Sequence, residues 1–332
     1  MGTQPNSSSD VRAFLFSSWK GRMGLAIGAG LLSCLLSLSF IVNPFLGLIF
    51  STCALLPIFL SGFTLGVEGA VISAITLCII EGLRGNIVMP LMSMTFIVLA
   101  IRQSLLVRRS NGKLFFYPIG RFVTFLLMLT LLFLIGIVVG TKTFFLKSLS
   151  LSYHVNFTSF EDLISFYVQE FIKNAGLQAQ WGKEGVSLIV NYGLSFLLIS
   201  WVLHLFVNVM ISLSLLKDRS CALRPPFLMQ NITLPVWYPC LLVISVGLIF
   251  MGEDLSYLGK NASLLVIMGF VFQGCSLVHL QVQKWFKNQV VFQRITLGFF
   301  YGSMIIMLPW FLGVAALGIL DHFMNLKARL SS

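Results

Sequence analysis

Charge is what this chain has least of. Only 10% of its 332 residues are charged, 11 of them acidic, and it holds four histidines, His154, His204, His279 and His322. It carries no HExxH, no GxSxG, no P-loop and no DxxD-type acidic motif. Membrane metalloproteases and phosphotransferases need clustered ligands or carboxylates at membrane depth, and these are missing, so we expect a protein that is not an enzyme and needs no cofactor or metal. The six cysteines (Cys34, Cys53, Cys78, Cys221, Cys240 and Cys275) form no CxxC pair. They read as small buried hydrophobes rather than a disulfide or zinc framework. Alternation at period two is absent as well, which argues against a transmembrane β-barrel.

Apolar residues are what the chain does have, at 57%. They fall in repeated runs of about 18 or more, the length a helix needs to cross the bilayer core. The expected fold is all-α, a polytopic transmembrane helical bundle of about 8–9 spans. Residues 1–21 are polar and Ser-rich, with Asp10, Arg12 and Lys20, and read as a cytoplasmic tail. The first apolar run is followed at once by others, so no cleavable signal is expected. A net charge of +11 could suggest nucleic acid. The basic residues cluster instead in short loops between apolar spans, the positive-inside pattern, so the expected partner is the lipid bilayer and not nucleic acid.

The stretch 55–80 organises the rest. Gly62, Gly66 and Gly69 recur there at helical spacing around one charge, Glu68. A single straight helix would place that carboxylate near mid-bilayer, which is costly. Two short helices meeting at 66–69 avoid the cost, and small residues let helix backbones approach closely in lipid. The alternative is that the glycines are only packing notches.

The remaining spans follow in order. Span one is 22–41, with Gly24, Gly28 and Gly30 as another small-residue surface. After a turn at Asn43-Pro44 come spans two (45–64), three (67–83) and four (87–105), a turn at 111–113, and span five (115–141). The polar segment 142–184 holds a capping box, Thr158 with Glu161. An amphipathic helix follows, with Ile164, Tyr167, Val168, Phe171 and Ile172 on one face, and Gly176 as its stop. It would lie on the membrane surface or over a cavity mouth. Span six is 186–216, and a basic loop with Pro225-Pro226 fills 217–230. Span seven is 235–252, opened by Trp237 and Tyr238, and a turn at Glu253, Asp254 and Lys260 leads to span eight (261–282). Span nine is 296–320, kinked at Pro309, before the tail 321–332. An eight-span arrangement is the alternative. Placing the N-terminus inside puts 14 of the 22 basic residues on the cytoplasmic side, which fixes the expected orientation.

The sparse polar residues inside apolar helices are the candidate site. His204 and Asn208 share a face one turn after Trp201, and Gln273 and His279 lie with Ser276 in GFVFQGCSLVH. Such groups line a solute site or act as interhelical hydrogen-bond glue. Glu81 and Arg84, one turn apart, can pair at the outer end of span three.

Two stretches carry a resemblance. The segment GFVFQGCSLVH, the basic loop after it, the proline-broken span and LGILDHF resemble the YybS-like uncharacterised bacterial membrane proteins. There a Gln-Gly and a following His match Gln273, Gly274 and His279, and a closing Gly-x-x-Asp with a basic residue matches Gly318, Asp321 and Lys327. Asn325 and Lys327 stand where that family has an acid and an arginine, which speaks against a tail ion pair. The stretch LLPIFLSGFTLGVEGAV is similar to the substrate-binding components of energy-coupling-factor vitamin transporters. The resemblance implies a bacterial inner-membrane protein in which 22–216 form a six-span substrate-binding bundle and 217–320 add further spans. It would bind a small solute through Trp201, His204, Asn208, Gln273 and His279, energised by a partner transporter module. The rival expectation is a membrane scaffold or regulator that binds other proteins and no solute.

Overall fold

The computed structural model describes residues 18–42, 50–85, 88–110, 113–141, 159–174, 183–217, 219 and 221–331. The Asn43-Pro44 turn, residues 111–112, His154, Thr158 and Gly176 lie outside the described residues. The helices are α1 (Trp19–Val42), α2 (Leu56–Leu65), α3 (Val67–Leu83), α4 (Val88–Ser104), α5 (Ile119–Gly140), α6 (Phe160–Asn174), α7 (Lys183–Leu215), α8 (Tyr238–Ile249), α9 (Glu253–Trp285), α10 (Val290–Ile306), α11 (Leu308–Met324) and α12 (Leu326–Ser331). A two-stranded ribbon, β1 (Val107–Ser110) and β2 (Lys113–Phe116), follows α4. The chain packs as two units. Unit 1 is Met1–Pro118 with Leu203–Phe227, and unit 2 is Ile119–Val202 with Leu228–Ser332.

In unit 1, α1 begins at Trp19 because the Ser18 hydroxyl accepts the Gly21 amide at 3.0 Å. That is two residues before the expected end of the tail. α1, α2 and α3 pack on one another, and α4 packs on α3. The Ser73 hydroxyl donates to the Ala26 carbonyl at 2.8 Å and stands 3.0 Å from the Ser61 hydroxyl, tying the three together. The break expected at 66–69 falls at Gly66, with φ 86° and ψ −171°, a combination open essentially only to glycine. Arg22 sits at this break. It donates to the freed Leu65 carbonyl at 2.8 Å and lies 3.8 Å from Glu68 in the first turn of α3. Gly62 serves differently: a Cβ there would stand 2.5 Å from Ile101 of α4.

Span five does not start at 115. Residues 113–116 pair antiparallel with 107–110, Arg108 opposite Phe115 and Arg109 opposite Leu114. The run Leu114-Phe115-Phe116-Tyr117 is as apolar as a span, but it is aromatic and ends at Pro118, which disfavours helix in the residue before it.

In unit 2, α9 is the centre. Of the four helices long and apolar enough to cross a membrane (Trp19–Ser39, Ile119–Gly140, Glu184–Leu215 and Glu253–Trp285), it alone is mostly buried, 72% against 28–44% for the others. α5, α8 and α11 pack around it. Tyr238 of α8 is wholly buried against Gly269 and donates to the Val266 carbonyl at 3.0 Å. The turn expected at Glu253, Asp254 and Lys260 is instead the start of α9, where acids favour a helix N-terminus. The capping box is one residue later than expected: Ser159 and Asp162 exchange amide bonds at 3.0 and 3.1 Å. Glu161 is thereby released to face Lys260 at 3.9 Å. Of the expected apolar face of α6, Ile172 is buried while Tyr167 and Phe171 are exposed.

The expected span nine is two helices, broken at Met307 in extended geometry, with Pro309 in the first turn of α11. The 12-residue α8 reaches about 18 Å, short of a bilayer core of about 30 Å. Among the described residues, four helices are long and apolar enough to cross a membrane, and several shorter apolar helices accompany them.

The two glycines at the α2–α3 hairpin separate by substitution. Gly66→Ala should destabilise by about 1–3 kcal/mol through backbone strain alone, since a Cβ there would meet only Leu223, at an ordinary contact distance of 3.9 Å. Gly62→Leu should cost a similar amount by overpacking against Ile101. Gly140→Leu, with nothing within 4 Å, should melt like the parent in detergent. Equal melting of all three would remove the hairpin from the packing centre.

Candidate functional site

The buried polar cluster of unit 2 is built where α9 and α11 cross. Gly274 lies under the Val314 carbonyl and Gly318 under the Phe270 carbonyl, so neither leaves room for a Cβ. Backbone contact this close brings flanking side chains within hydrogen-bond reach. Gln273, 3% exposed, donates from Nε2 to Asp321 Oδ2 at 2.7 Å and accepts the Leu234 amide at 3.3 Å. α11 ends at Asn325, whose left-handed φ of 51° turns the chain back into α12. That return delivers the Lys327 amide to Asp321 Oδ1 at 2.9 Å and its ammonium to within 3.6 Å of Oδ2. The same ammonium donates to the Ile232 carbonyl, which also accepts the Ser276 hydroxyl at 3.2 Å. Burial draws the Lys327 ammonium below the ordinary lysine range, and Asp321 opposes that shift. The tail ion pair that the sequence spoke against is therefore present, and it ties α9, α11, α12 and the 228–234 segment together.

His279, also expected here, shares a 2.8 Å hydrogen bond with Tyr301 of α10. Trp201 belongs to unit 2, on α7, and is half-buried. His204 and Asn208 belong to unit 1. Asn208, 1% exposed, donates to the Thr52 carbonyl at 2.9 Å and the His204 carbonyl at 2.8 Å, while its Oδ1 is buried with no hydrogen-bond partner. The five expected ligand residues are thus divided between the two units. The Glu81–Arg84 pair forms at 2.9 Å, with the Ser37 hydroxyl donating to the same carboxylate.

Two buried polar residues make contacts the sequence did not assign them: Asn261, and Arg224, read there only as part of the basic loop 217–230. Asn261 is fully buried, bonds the Asn191 and Tyr257 carbonyls at 2.8 and 3.0 Å, and accepts the Ser195 amide at 2.9 Å. Arg224 is 5% exposed, donates to the Ser104 carbonyl at 2.6 Å and lies 3.7 Å over the Phe227 ring. Burial lowers its guanidinium to about 10, still cationic at neutral pH, and it meets the negative end of α4. The visible signals were an amide beside Lys260 and an arginine before Pro225-Pro226.

The fold and its buried polar cluster define an α-helical integral membrane protein. The chain belongs to the family described as Predicted membrane protein (DUF2232), which matches residues 31–322. Comparison with curated proteins and with solved structures finds no match.

Asp321→Ala leaves Lys327 buried without its counter-charge and should destabilise by about 3–5 kcal/mol in thermal unfolding. Asp321→Asn combined with Lys327→Met removes both charges and should recover much of that loss. A double variant as unstable as Asp321→Ala would show that the pair itself is not what holds the cluster.

Proposed function

We propose that the chain is a non-enzymatic protein of the bacterial inner membrane that acts as a scaffold or regulator, binding other proteins. One observation carries this reading: Gln273 and His279, the polar residues best suited to a solute, hydrogen-bond to groups of their own chain. Polar groups spent in this way hold helices together in lipid rather than capture a ligand. Pulldown from native membranes tests it. Recovery of cell-envelope or signalling proteins without transporter parts is the expected result, and co-purification of an energising transporter module would contradict it.

A second reading keeps the small-solute site, served by a partner energising module. The buried, unpartnered Oδ1 of Asn208 favours it, because a solute donor would satisfy that atom. The resemblance of the stretch LLPIFLSGFTLGVEGAV to energy-coupling-factor substrate-binding components belongs with this reading. The YybS-like assignment is compatible with either, and rests on Gln273, Gly274, His279, Gly318, Asp321 and Lys327. Thermal-shift screening against vitamins and metabolites separates the two: a stabilising ligand whose effect vanishes in Asn208→Leu would favour the solute site.

We also infer a cytoplasmic N-terminus. Arg22, the Gly66 break, Leu223 and Arg224 meet at one end of unit 1, through Arg22 on Leu65 and the Leu223 amide on the Phe63 carbonyl. Lys20, Arg102, Arg108 and Arg109 lie on the elements that meet there, which supports the positive-inside orientation. A reporter fused after Lys113 or Arg224 should be cytoplasmic and one near Asn174 external; reversed signals would overturn the orientation.

A further inference from the structure

We propose that the β1–β2 ribbon of unit 1 is a binding site for the headgroups of anionic phospholipids. The ribbon follows α4 and leads into α5, one of the four helices long and apolar enough to cross a membrane. α4 ends at Ser104, the Tyr117 amide closes onto the Leu106 carbonyl at 3.0 Å, and Arg224 bridges the Ser104 carbonyl and the face of Phe116, 5.7 Å from its centroid. Only Tyr117 and Pro118 separate the ribbon from α5, so with α5 in the bilayer chain continuity holds the ribbon near the level of the lipid phosphates.

Its side chains match both halves of a lipid. Arg108 and Arg109 are exposed on β1, as is Arg102 on the last turn of α4. Among the described residues, the ion pairs of unit 1 are Arg22–Glu68 and Arg84–Glu81, so these three guanidinium groups have no carboxylate partner. Guanidinium binds phosphate oxygens in a bidentate fork. Beside them Leu114 and Phe115 are 61% and 54% exposed. The register sets Arg108 across from Phe115 and Arg109 across from Leu114, and side chains directly opposite share a face. Each face of the ribbon therefore offers a cation next to an apolar group. A phosphodiester attached to an acyl chain satisfies both; a nucleic acid would leave the exposed Leu114 and Phe115 in water. An acidic protein would satisfy the arginines, and the experiment separates it.

The test uses the full chain in detergent, titrated with phosphatidylglycerol or phosphatidylcholine and read by native mass spectrometry. The parent should retain phosphatidylglycerol well above phosphatidylcholine. Removing two charges in Arg108→Gln/Arg109→Gln should weaken phosphatidylglycerol binding about thirtyfold, leaving phosphatidylcholine unchanged. Leu114→Ser/Phe115→Ser should weaken both lipids. Lys284→Gln/Lys287→Gln, in a basic segment of unit 2, should bind as the parent does. Inorganic phosphate at the concentration of the lipid should not displace it. If the double arginine variant does not fold, Arg109→Gln alone, on an exposed side chain, should weaken binding about fivefold. Parent-like binding by a folded arginine variant, an equal loss in the Lys284/Lys287 control, or displacement by inorganic phosphate would overturn the proposal. Equal retention of both lipids by the parent, with an acidic protein captured through the ribbon, would overturn it too.

Discussion

Unit 2 rests on two helices that touch backbone to backbone. Gly274 and Gly318 face carbonyls of the opposite helix with no room for a side chain between them. In water, apolar side chains would be driven together anyway. In lipid that drive is absent, and close packing with satisfied polar groups must hold the helices. The Gln273–Asp321–Lys327 network depends on this contact. A helix pair held farther apart by side chains would put the Gln273 amide beyond reach of Asp321, and the buried carboxylate would face Lys327 without its second donor. The Gln273–Asp321 bond therefore follows from the glycines and not the reverse, while the Asp321–Lys327 pair follows from the turn at Asn325.

Unit 1 answers the same constraint with broken helices. A break exposes carbonyls that lipid cannot satisfy. The chain supplies arginines there: Arg22 on Leu65 at the α2–α3 junction and Arg224 on Ser104 at the end of α4. Each meets the negative end of a helix dipole, so one side chain satisfies an acceptor and complements charge. The cost is a set of cations gathered at one end, and that asymmetry is also what sets orientation in a membrane and attracts anionic lipid.

Some of this was legible in the sequence. Apolar run length gave the membrane class, the spacing of Gly62, Gly66 and Glu68 gave the hairpin and its break, and helical spacing gave Glu81–Arg84. Other features were hidden for physical reasons. Leu114-Phe115-Phe116 is as hydrophobic as a span, so hydropathy could not tell a ribbon from a helix. Ser159-Asp162 and Thr158-Glu161 both fit a capping box, and Lys260, distant in sequence, takes up Glu161. The Asp321–Lys327 pair needed the left-handed turn at Asn325, which a linear pattern does not display. Polarity within apolar helices marked Gln273, His279 and Asn208 as notable, but the groups each would meet come from segments tens of residues away.

The central claim is that backbone contact at Gly318 organises unit 2. Gly313 lies on the same helix, and a Cβ there meets nothing within 4 Å. Thermal unfolding of Gly318→Leu and Gly313→Leu in the same detergent compares one substitution at a contact and at an open site. The account predicts a loss of at least about 1–3 kcal/mol for Gly318→Leu, the usual cost of overpacking, with Gly313→Leu close to the parent. Equal melting temperatures for the two variants would contradict it.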